Sequence, residues 1–369
     1  MAMQPGRARR KRIWPVVLIG LILLLPGWWF FSWLLFMLQQ PVPNAREIFT
    51  RAGEQVVVSL PSSGLTTTDI YTMSLHGTVP GVGMLPNRRG EPGTTPSPSL
   101  AEMQALMAAN QPALDTLRQG LHAEYCEKYS SPLGNTLFPH FAKINTLERV
   151  LAADAYTRSC AGDWAGAMTS CLDGLQVGEM VPHKGIRLSL LVGVAGQATV
   201  RRQAWQIVPH LSAGEASAAV HRLEAIMTQR VTSDEVMNRE LGVLRGFTSA
   251  SAEMSFRFTE EYAAAQNALL LATLALQAYQ ADHHAYPPAL SMLSTAYRTA
   301  LSTDPLNPVS PFHYRLTTQG YLLYSIGPDH KDDGGTPSTD GLRTPMDDDR
   351  ATACKLTSTG DIVAGVNVR

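Results

Sequence analysis

The most constraining feature of this chain is a run of 26 residues, 13–38, without a single charged side chain. As a helix it would rise about 39 Å, which exceeds the roughly 30 Å hydrocarbon core of a bilayer. The tryptophans of the run lie toward its ends, as interfacial anchors do, and they are Trp14, Trp28, Trp29 and Trp33. A buried soluble helix and a cleaved signal peptide are the alternatives, but a signal peptide has only about 7 to 15 apolar residues and a small-x-small cleavage site, which this run lacks. The pattern predicts an uncleaved transmembrane helix.

The charges on either side of this run predict the orientation of the chain. Residues 1–12 carry five basic side chains and no acidic one, whereas the residues just after the run are balanced in charge. Because basic flanks stay on the cytoplasmic side, we expect residues 1–12 to form a cytoplasmic tail and the bulk of the chain to be extracytoplasmic. The expected partner of residues 13–38 is the lipid bilayer, crossed once.

Composition excludes one class of partner and leaves the cysteine pairing open. The 369 residues suffice for about two or three compact units, and 30 Lys and Arg stand against 31 Asp and Glu. This balance gives no basic surface for a polyanion, so no nucleic acid is expected as a partner. The cysteines, which an oxidising compartment would allow to pair, are Cys126, Cys160, Cys171 and Cys354. A bridge between Cys160 and Cys171 is disfavoured, because an axial offset of about 12 Å would separate them on adjacent helices.

The middle of the chain divides into an extended segment and a helical region. Residues 39–98 contain one β-like run, EQVVVSL, followed by a stretch rich in Pro, Gly, Ser and Thr. They are predicted to form an extended linker with short strands. From 99 to about 230 apolar residues recur at every third or fourth position, which indicates amphipathic helices, and a helical domain is predicted over 99–259.

Capping signals mark the expected starts of several of these helices. SLAE at 99–102 and SAGE at 212–215 have the spacing of capping boxes, and Asp163 is placed to cap a helix after Gly162. The helices on either side of Gly162 form an αα-hairpin, so the region resembles a tetratricopeptide-type body that offers a groove for a protein or peptide. The small residues of LLVGVAGQAT, 190–199, predict close helix packing.

The last region, 260–369, changes to one helix followed by short strands. An apolar helix is expected over 260–283, ending before a Tyr-Pro-Pro sequence. FHYRL and YLLYSI are separated by only four residues and predict a β-hairpin, with DIVAGV as a third strand. The predicted fold class is therefore mainly α, with a small α+β unit that contains a short antiparallel sheet.

The order of motifs in this last region, from LQAYQADHHAYP through DPLNP and FHYRL to YLLYSIGPDHKDDGG, resembles a known family. It is similar to the C-terminal domain of the major pseudopilin of type II secretion systems. The resemblance implies a bacterial inner-membrane protein and a Ca²⁺ site in the last loop, where carboxylates and carbonyls act as ligands. The implied ligands are Asp329, Asp332 and Asp333, together with the backbone carbonyls of Tyr324 and Ser325. Asp340, or the run from Asp347 to Asp349, is an alternative for the later pair.

No enzyme motif accompanies these features, since the sequence has no Gly-x-Ser-x-Gly, His-Glu-x-x-His or phosphate loop. We therefore expect a non-enzymatic, membrane-anchored scaffold with a calcium-stabilised C-terminal unit. Two alternatives stay open. One is an accessory component of a secretion apparatus that contacts pseudopilins, although this chain lacks the family's leader and its span lies far from the matching helix. The other is a metal-dependent hydrolase that uses His283, His313 and Asp329.

Overall fold

The computed structural model describes residues 43–87, 90–127, 138–244, 250–293, 304–338 and 356–365. The predicted span, with its four tryptophans, lies outside these residues. Among the residues that are described, no helix is both long enough and apolar enough to cross a bilayer.

Helices dominate the described residues, which confirms the mainly helical fold class, and two small antiparallel sheets complete the fold. The α-helices are α1 (Ala45–Glu54), α2 (Thr67–His76), α3 (Leu100–Gly120), α4 (Pro139–Cys160), α5 (Trp164–Met180), α6 (Arg187–Ile207), α7 (Ala213–Met227), α8 (Ser233–Leu244) and α9 (Ala250–His283). Short 3₁₀ helices occupy Val208–His210 and Leu290–Met292. The strands are β1 (Met84–Pro86), β2 (Pro92–Pro96), β3 (His313–Thr317), β4 (Gly320–Ser325) and β5 (Ile362–Val363).

Three helix starts follow the capping signals of the sequence. Ser99 and Ser212 each accept a hydrogen bond from the backbone N–H of the glutamate three residues later, and that glutamate accepts from the serine N–H. Asp163 caps α5 by accepting from the N–H of Gly166 at 2.9 Å. These bonds satisfy donors that the first turn of a helix leaves open, so the predicted caps are confirmed.

The described part of the segment 39–98 contains the short strands β1 and β2, as predicted, but helices α1 and α2 make it more helical than the extended linker predicted for it. Helices α1 and α2 pack on α3 and α4, and bury Phe49 and Ile70 completely. The β-like valine run does not join a strand, because Asn110 of α3 binds the Val57 backbone, donating to its carbonyl at 2.9 Å and accepting from its N–H at 3.0 Å. Short helices depend on tertiary packing more than on their own pattern, which explains why local sequence predicts an extended segment here.

Helices α5 and α6 cross at a contact between two glycines. A Cβ on Gly193 would collide with the carbonyl oxygen of Gly178, and a Cβ on Gly178 would collide with that of Gly193. The two backbones can approach this closely only because neither residue carries a side chain. The prediction that the small residues of 190–199 mark close helix packing is therefore confirmed.

Helix α9 is the central element of the C-terminal half of the fold. It begins before the predicted start at residue 260 and continues unbroken through the predicted domain boundary there. Its middle, 263–276, is buried on every side, as in a core helix. The helix packs against α6 and α7 and also contacts β4. The helical body and the C-terminal sheet thus share one core, and the described residues from Asn44 onward form one compact unit.

The C-terminal strands pair as the sequence predicts. β3 and β4 form an antiparallel hairpin with His313 opposite Tyr324, and β5 pairs antiparallel with β4. Strand β5 covers only part of the DIVAGV run. The order β3-β4-β5 places Asp361, the residue before β5, beside the acidic segment that follows β4.

We expect Gly193→Ala to destabilise the protein. The new Cβ would press on the α5 backbone, which cannot move aside as the end of a flexible side chain can. Overpacking of this kind costs about 1 to 3 kcal/mol. Thermal or urea unfolding of the full chain in detergent, followed by circular dichroism, measures the loss.

Gly214→Ala is the matched control for this substitution. Gly214 lies near the start of α7, and a Cβ there would have nothing within 4 Å. It should leave the free energy of unfolding unchanged or raise it by up to about 1 kcal/mol through helix propensity. Equal losses from the two substitutions would contradict the glycine contact between α5 and α6.

Candidate functional site

The acidic segment singled out by the sequence forms a turn after β4, which we call the acidic turn and define as residues 327–338. It starts at Gly327, whose φ of +69° is a left-handed conformation that glycine adopts without strain. A Cβ at this position would also collide with the carbonyl oxygen of Gly360. Gly327 therefore lets the turn fold back against the residues that precede β5.

Asp361, which the sequence did not single out as a ligand, lies under the acidic turn and is fully buried. Its carboxylate accepts backbone N–H bonds from Gly335 at 2.7 Å and from Asp333 at 3.4 Å. Its own N–H donates to the Thr336 carbonyl at 2.8 Å. Burial raises the pKa of Asp361 against these N–H bonds, and the charges of Asp332 and Asp333 raise it further. Asp361 thus ties the turn to the start of β5.

Asp332 is exposed and ties the acidic turn to the hairpin. One of its carboxylate oxygens accepts from the Tyr324 hydroxyl and from the Gly334 N–H, each at 2.9 Å. The other oxygen lies 3.2 Å from Nδ1 of His313, whose ring stacks on that of Tyr324. The Gly334 and Tyr324 bonds lower the pKa of Asp332. Both oxygens of this carboxylate therefore already have protein partners.

The remaining predicted ligands have different surroundings. Asp329 accepts the N–H of Lys331 at 3.2 Å within its own turn. Asp333 is exposed, and it meets Asp361 through its backbone N–H. Ser325 is buried in β4 opposite Ile362 of β5. The structure thus brings Asp332 and Asp333 of the acidic turn close to Asp361, while Asp329, at the start of the same turn, accepts from Lys331.

These contacts decide how far calcium fits the acidic turn. Carboxylates and carbonyls are ligands that Ca²⁺ prefers, and a cation would relieve the like charges around Asp361. Backbone N–H groups nevertheless occupy the Asp361 oxygens, and the described part of the chain contains no group of three or more His, Cys, Asp or Glu arranged as a metal site. The alternative ligands, Asp340 and 347–349, lie outside the described residues. Calcium at this turn stays a prediction of the resemblance.

The residues named for a hydrolase have separate polar partners. His283 stacks on Tyr279 at the end of α9, and its Nδ1 lies 2.9 Å from the Tyr279 carbonyl oxygen. His313 contacts Asp332 in the sheet, and Asp329 accepts a bond within its own bend. Within the described part of the chain, these contacts tie His283 to α9, His313 to Asp332 and Asp329 to Lys331.

The described cysteines, Cys126, Cys160 and Cys171, carry free thiols, as expected for the disfavoured 160–171 pair. Burial raises the pKa of both Cys160 and Cys171. Since the thiolate is the nucleophilic form, these two thiols lack the environment of a catalytic cysteine. Cys354 lies outside the described residues.

A cleft of about 440 Å³ opens between α1 and the start of α4, and we call it the α1–α4 cleft. Its lining is Arg46, Glu47, Thr50, Arg51, Glu54, Pro139, His140 and Lys143. The two helices touch beside it at Gly53, where a Cβ would lie 2.6 Å from the Cβ of Lys143. Its volume falls in the range of ligand sites. The sequence could not indicate this cleft, because one of its walls is a helix of the segment expected to be extended.

A buried carboxylate holds two of the side chains that line the α1–α4 cleft. Glu127 Oε1 lies 2.7 Å from Nη1 of Arg46, and Oε2 lies 3.0 Å from Nε2 of His140. Burial alone would raise the pKa of Glu127, but the bonds from His140 and Arg46 outweigh it and lower the pKa. Arg51 and Lys143, in contrast, form no ion pair with any residue that the structure describes.

Comparisons of this chain with protein-family models, with curated proteins and with solved structures find no match. Its function is therefore inferred from its own residues, above all from the α1–α4 cleft and the acidic turn.

Asp361→Ala should destabilise the chain by about 1 to 3 kcal/mol, because it leaves the Asp333 and Gly335 N–H groups without their acceptor. Thermal unfolding of the full chain measures the change. Asp333→Ala is the control, since it removes only an exposed carboxylate that repels Asp361. An equal loss of stability from Asp333→Ala would contradict the conclusion that the Asp361 carboxylate holds the acidic turn in place.

Calcium at about 1 mM should raise the melting temperature of the full chain relative to a sample in EDTA, as expected of an extracellular calcium module. The physical reason is the repulsion that Asp332 and Asp333 exert on Asp361. Differential scanning fluorimetry, with Mg²⁺ as the ionic control, measures the shift. The double substitution Asp332→Asn and Asp333→Asn should abolish it. An unchanged melting temperature, or an equal rise with Mg²⁺, would rule out a specific calcium site.

Proposed function

We propose that this chain is a membrane-anchored, extracytoplasmic interaction protein without enzymatic activity, which docks a carboxylate-bearing peptide segment of a partner protein in the α1–α4 cleft. Residues 13–38 anchor it in a bacterial inner membrane. Its helical body is tetratricopeptide-like, and its C-terminal sheet is a pseudopilin-like unit that Ca²⁺ stabilises. Helix α1, which forms one wall of the cleft, is the first described helix after the anchor.

The observation that supports this proposal is that only some of the cations lining the cleft have an ion-pair partner. Arg46 and His140 are engaged by Glu127, whereas Arg51 and Lys143 have no ion pair in the described part of the chain. Cations that form no ion pair in a cleft attract a carboxylate and speed its arrival. The segment that fits therefore presents Asp or Glu to Arg51 and Lys143.

The other lining residues restrict the segment further. Glu47 and Glu54 lie on the same helix as Arg51 and line the same cleft, so they disfavour a uniformly acidic ligand. The lining is mostly charged or polar, which favours a peptide over an acyl chain or another apolar ligand. A segment of mixed charge, with its carboxylates grouped, matches this surface best.

The order of the C-terminal elements supports a second candidate, an accessory component of a type II secretion apparatus. The long helix α9 precedes the β3–β4 hairpin and then β5, which is the order implied by the resemblance to the pseudopilin C-terminal domain. In this case the docked segment would belong to a pseudopilin. A pseudopilin would then be retained by the full chain when it is purified from membranes, and released by substitutions in the α1–α4 cleft.

Selection from a displayed library of random short peptides on the detergent-solubilised full chain tests the cleft. We expect the selected peptides to be enriched in grouped Asp and Glu. Their affinity for the double variant Arg51→Glu, Lys143→Glu should fall by about tenfold or more, because each lost attraction becomes a repulsion. Fluorescence anisotropy with the selected peptides measures the change.

Lys331→Glu is the matched control, since it makes the same charge change at an exposed lysine of the acidic turn, outside the cleft. It should leave peptide affinity unchanged. The proposal fails if the selected peptides lack acidic enrichment, or if the cleft variant and the control bind them equally well.

A further inference from the structure

A narrow crevice lies where the end of α5 meets α6 and α9. Its volume of about 20 Å³ leaves room for one water molecule. Leu190, Val194 and Ala264 form part of its apolar wall. The polar side chains that line it are Glu179, Gln197, Arg230 and Glu260. None of these residues belongs to the α1–α4 cleft or to the acidic turn.

Glu179 is the carboxylate of this crevice whose charge is not matched by an ion pair. It lies in the last turn of α5, which contains no basic residue and where the helix dipole disfavours a negative charge. The side chain is buried, and its Oε1 lies 3.4 Å from Nδ2 of Asn267. Because Glu179 forms no ion pair with any described residue, burying its ionised form costs free energy that burying the neutral acid does not.

Arg201 is the first of two arginines near Glu179, and its donors are used elsewhere. It is buried in α6 and donates to the side-chain oxygen of Asn267 at 2.7 Å and to that of Gln266. Asn267 in turn donates to Gln197 at 2.8 Å and toward Glu179. An amide therefore stands between the guanidinium and the carboxylate, in place of a direct ion pair.

Arg230 is the second arginine, and it is paired with Glu260. This ion pair joins the loop after α7 to α9, and Glu260 also accepts from the Ser233 N–H at 3.5 Å. The charge of Arg230 favours ionised Glu179, whereas that of Glu260 opposes it. The charged groups that face Glu179 are thus Arg201 from α6, Arg230 after α7 and Glu260 from α9.

We propose that Glu179 is a proton-binding site that couples the packing of α5 against α6 and α9 to pH. With the proton bound, the carboxylic acid is neutral and the crevice stays closed around at most one water molecule. When the proton leaves to solvent, the carboxylate requires hydration, so water enters the crevice and the contact between α6 and α9 loosens. Burial supports this assignment, because it raises the pKa of Glu179 to about 7 against the opposing charge of Arg230.

The direction of the pH dependence follows from that shift. The pKa of Glu179 is about 7 in the folded protein and 4.5 when the group is unperturbed. Between these values the folded state binds the proton more tightly than the unfolded state does. The stability that protonated Glu179 contributes is therefore fully present below about pH 4.5 and is lost as the pH rises through about 7.

Infrared difference spectroscopy of the full chain in detergent, recorded over a pH series, tests the proposal. We expect a band of a buried carboxylic acid to disappear with a midpoint near pH 7, and to be missing from Glu179→Gln. Amide hydrogen exchange over 190–197 and 263–264, corrected for intrinsic rates, should accelerate above the same midpoint in the unmodified chain alone. A band that titrates near pH 7 with unchanged amplitude in Glu179→Gln would overturn the proposal.

Two further variants test the sign of the shift in the titration midpoint, which a folding defect would not produce. Glu260→Gln should lower the midpoint, because it removes a repelling charge and frees Arg230 to attract Glu179. Glu235→Gln, at an exposed position of α8, should leave the midpoint unchanged. An unchanged midpoint in Glu260→Gln, or no titration between about pH 6 and about pH 8, would also overturn the proposal.

Discussion

The backbone contact between Gly178 and Gly193 sets the spacing on which the helical body depends. Because α5 and α6 meet there without intervening side chains, polar groups beside the crossing are cut off from water. Glu179 directly follows one of these glycines. Glu148 of α4 lies against Gly196, and its Oε1 has no hydrogen-bond partner within the described residues. Burial raises the pKa of Glu148 well above its usual range, so two buried acids that lie beside glycines of the helical body favour the neutral form.

Other buried acids of the helical body differ from these two because they have ion-pair or short hydrogen-bond partners. Asp173 of α5 lies 2.9 Å from Arg118 of α3 and 2.5 Å from Arg222 of α7. Asp154 of α4 accepts from the Ser170 hydroxyl of α5 at 2.5 Å. The two contacts of Asp173 join helices that are not neighbours in sequence, and removing one arginine would leave part of its buried charge uncompensated. The interior of this fold therefore contains ionised acids that join helices and acids that favour the protonated, neutral form.

The parts of the fold that could be predicted from sequence are those decided by near neighbours. The caps at Ser99 and Asp163 involve residues three positions apart, and the β3–β4 hairpin spans a short turn. Helices α1 and α2 were not predicted from the sequence, because packing on α3 and α4 stabilises them. The position of Asp361 was not predicted either, since only the pairing of β5 with β4 brings this residue under the acidic turn. Local patterns report capping and periodicity, whereas the candidate sites arise from contacts between segments far apart in the chain.

Helix α4 connects the two regions to which a function is assigned. Its first turn carries His140, which lines the α1–α4 cleft, and two turns further along the same helix Glu148 packs against Gly196 of α6. Gly196 precedes Gln197, which lines the crevice of Glu179. Because protein interiors are close-packed, the position of α4 at the cleft and the packing of Glu148 against α6 are fixed together. The cleft and the proton site are thus connected by one rigid helix and one glycine contact.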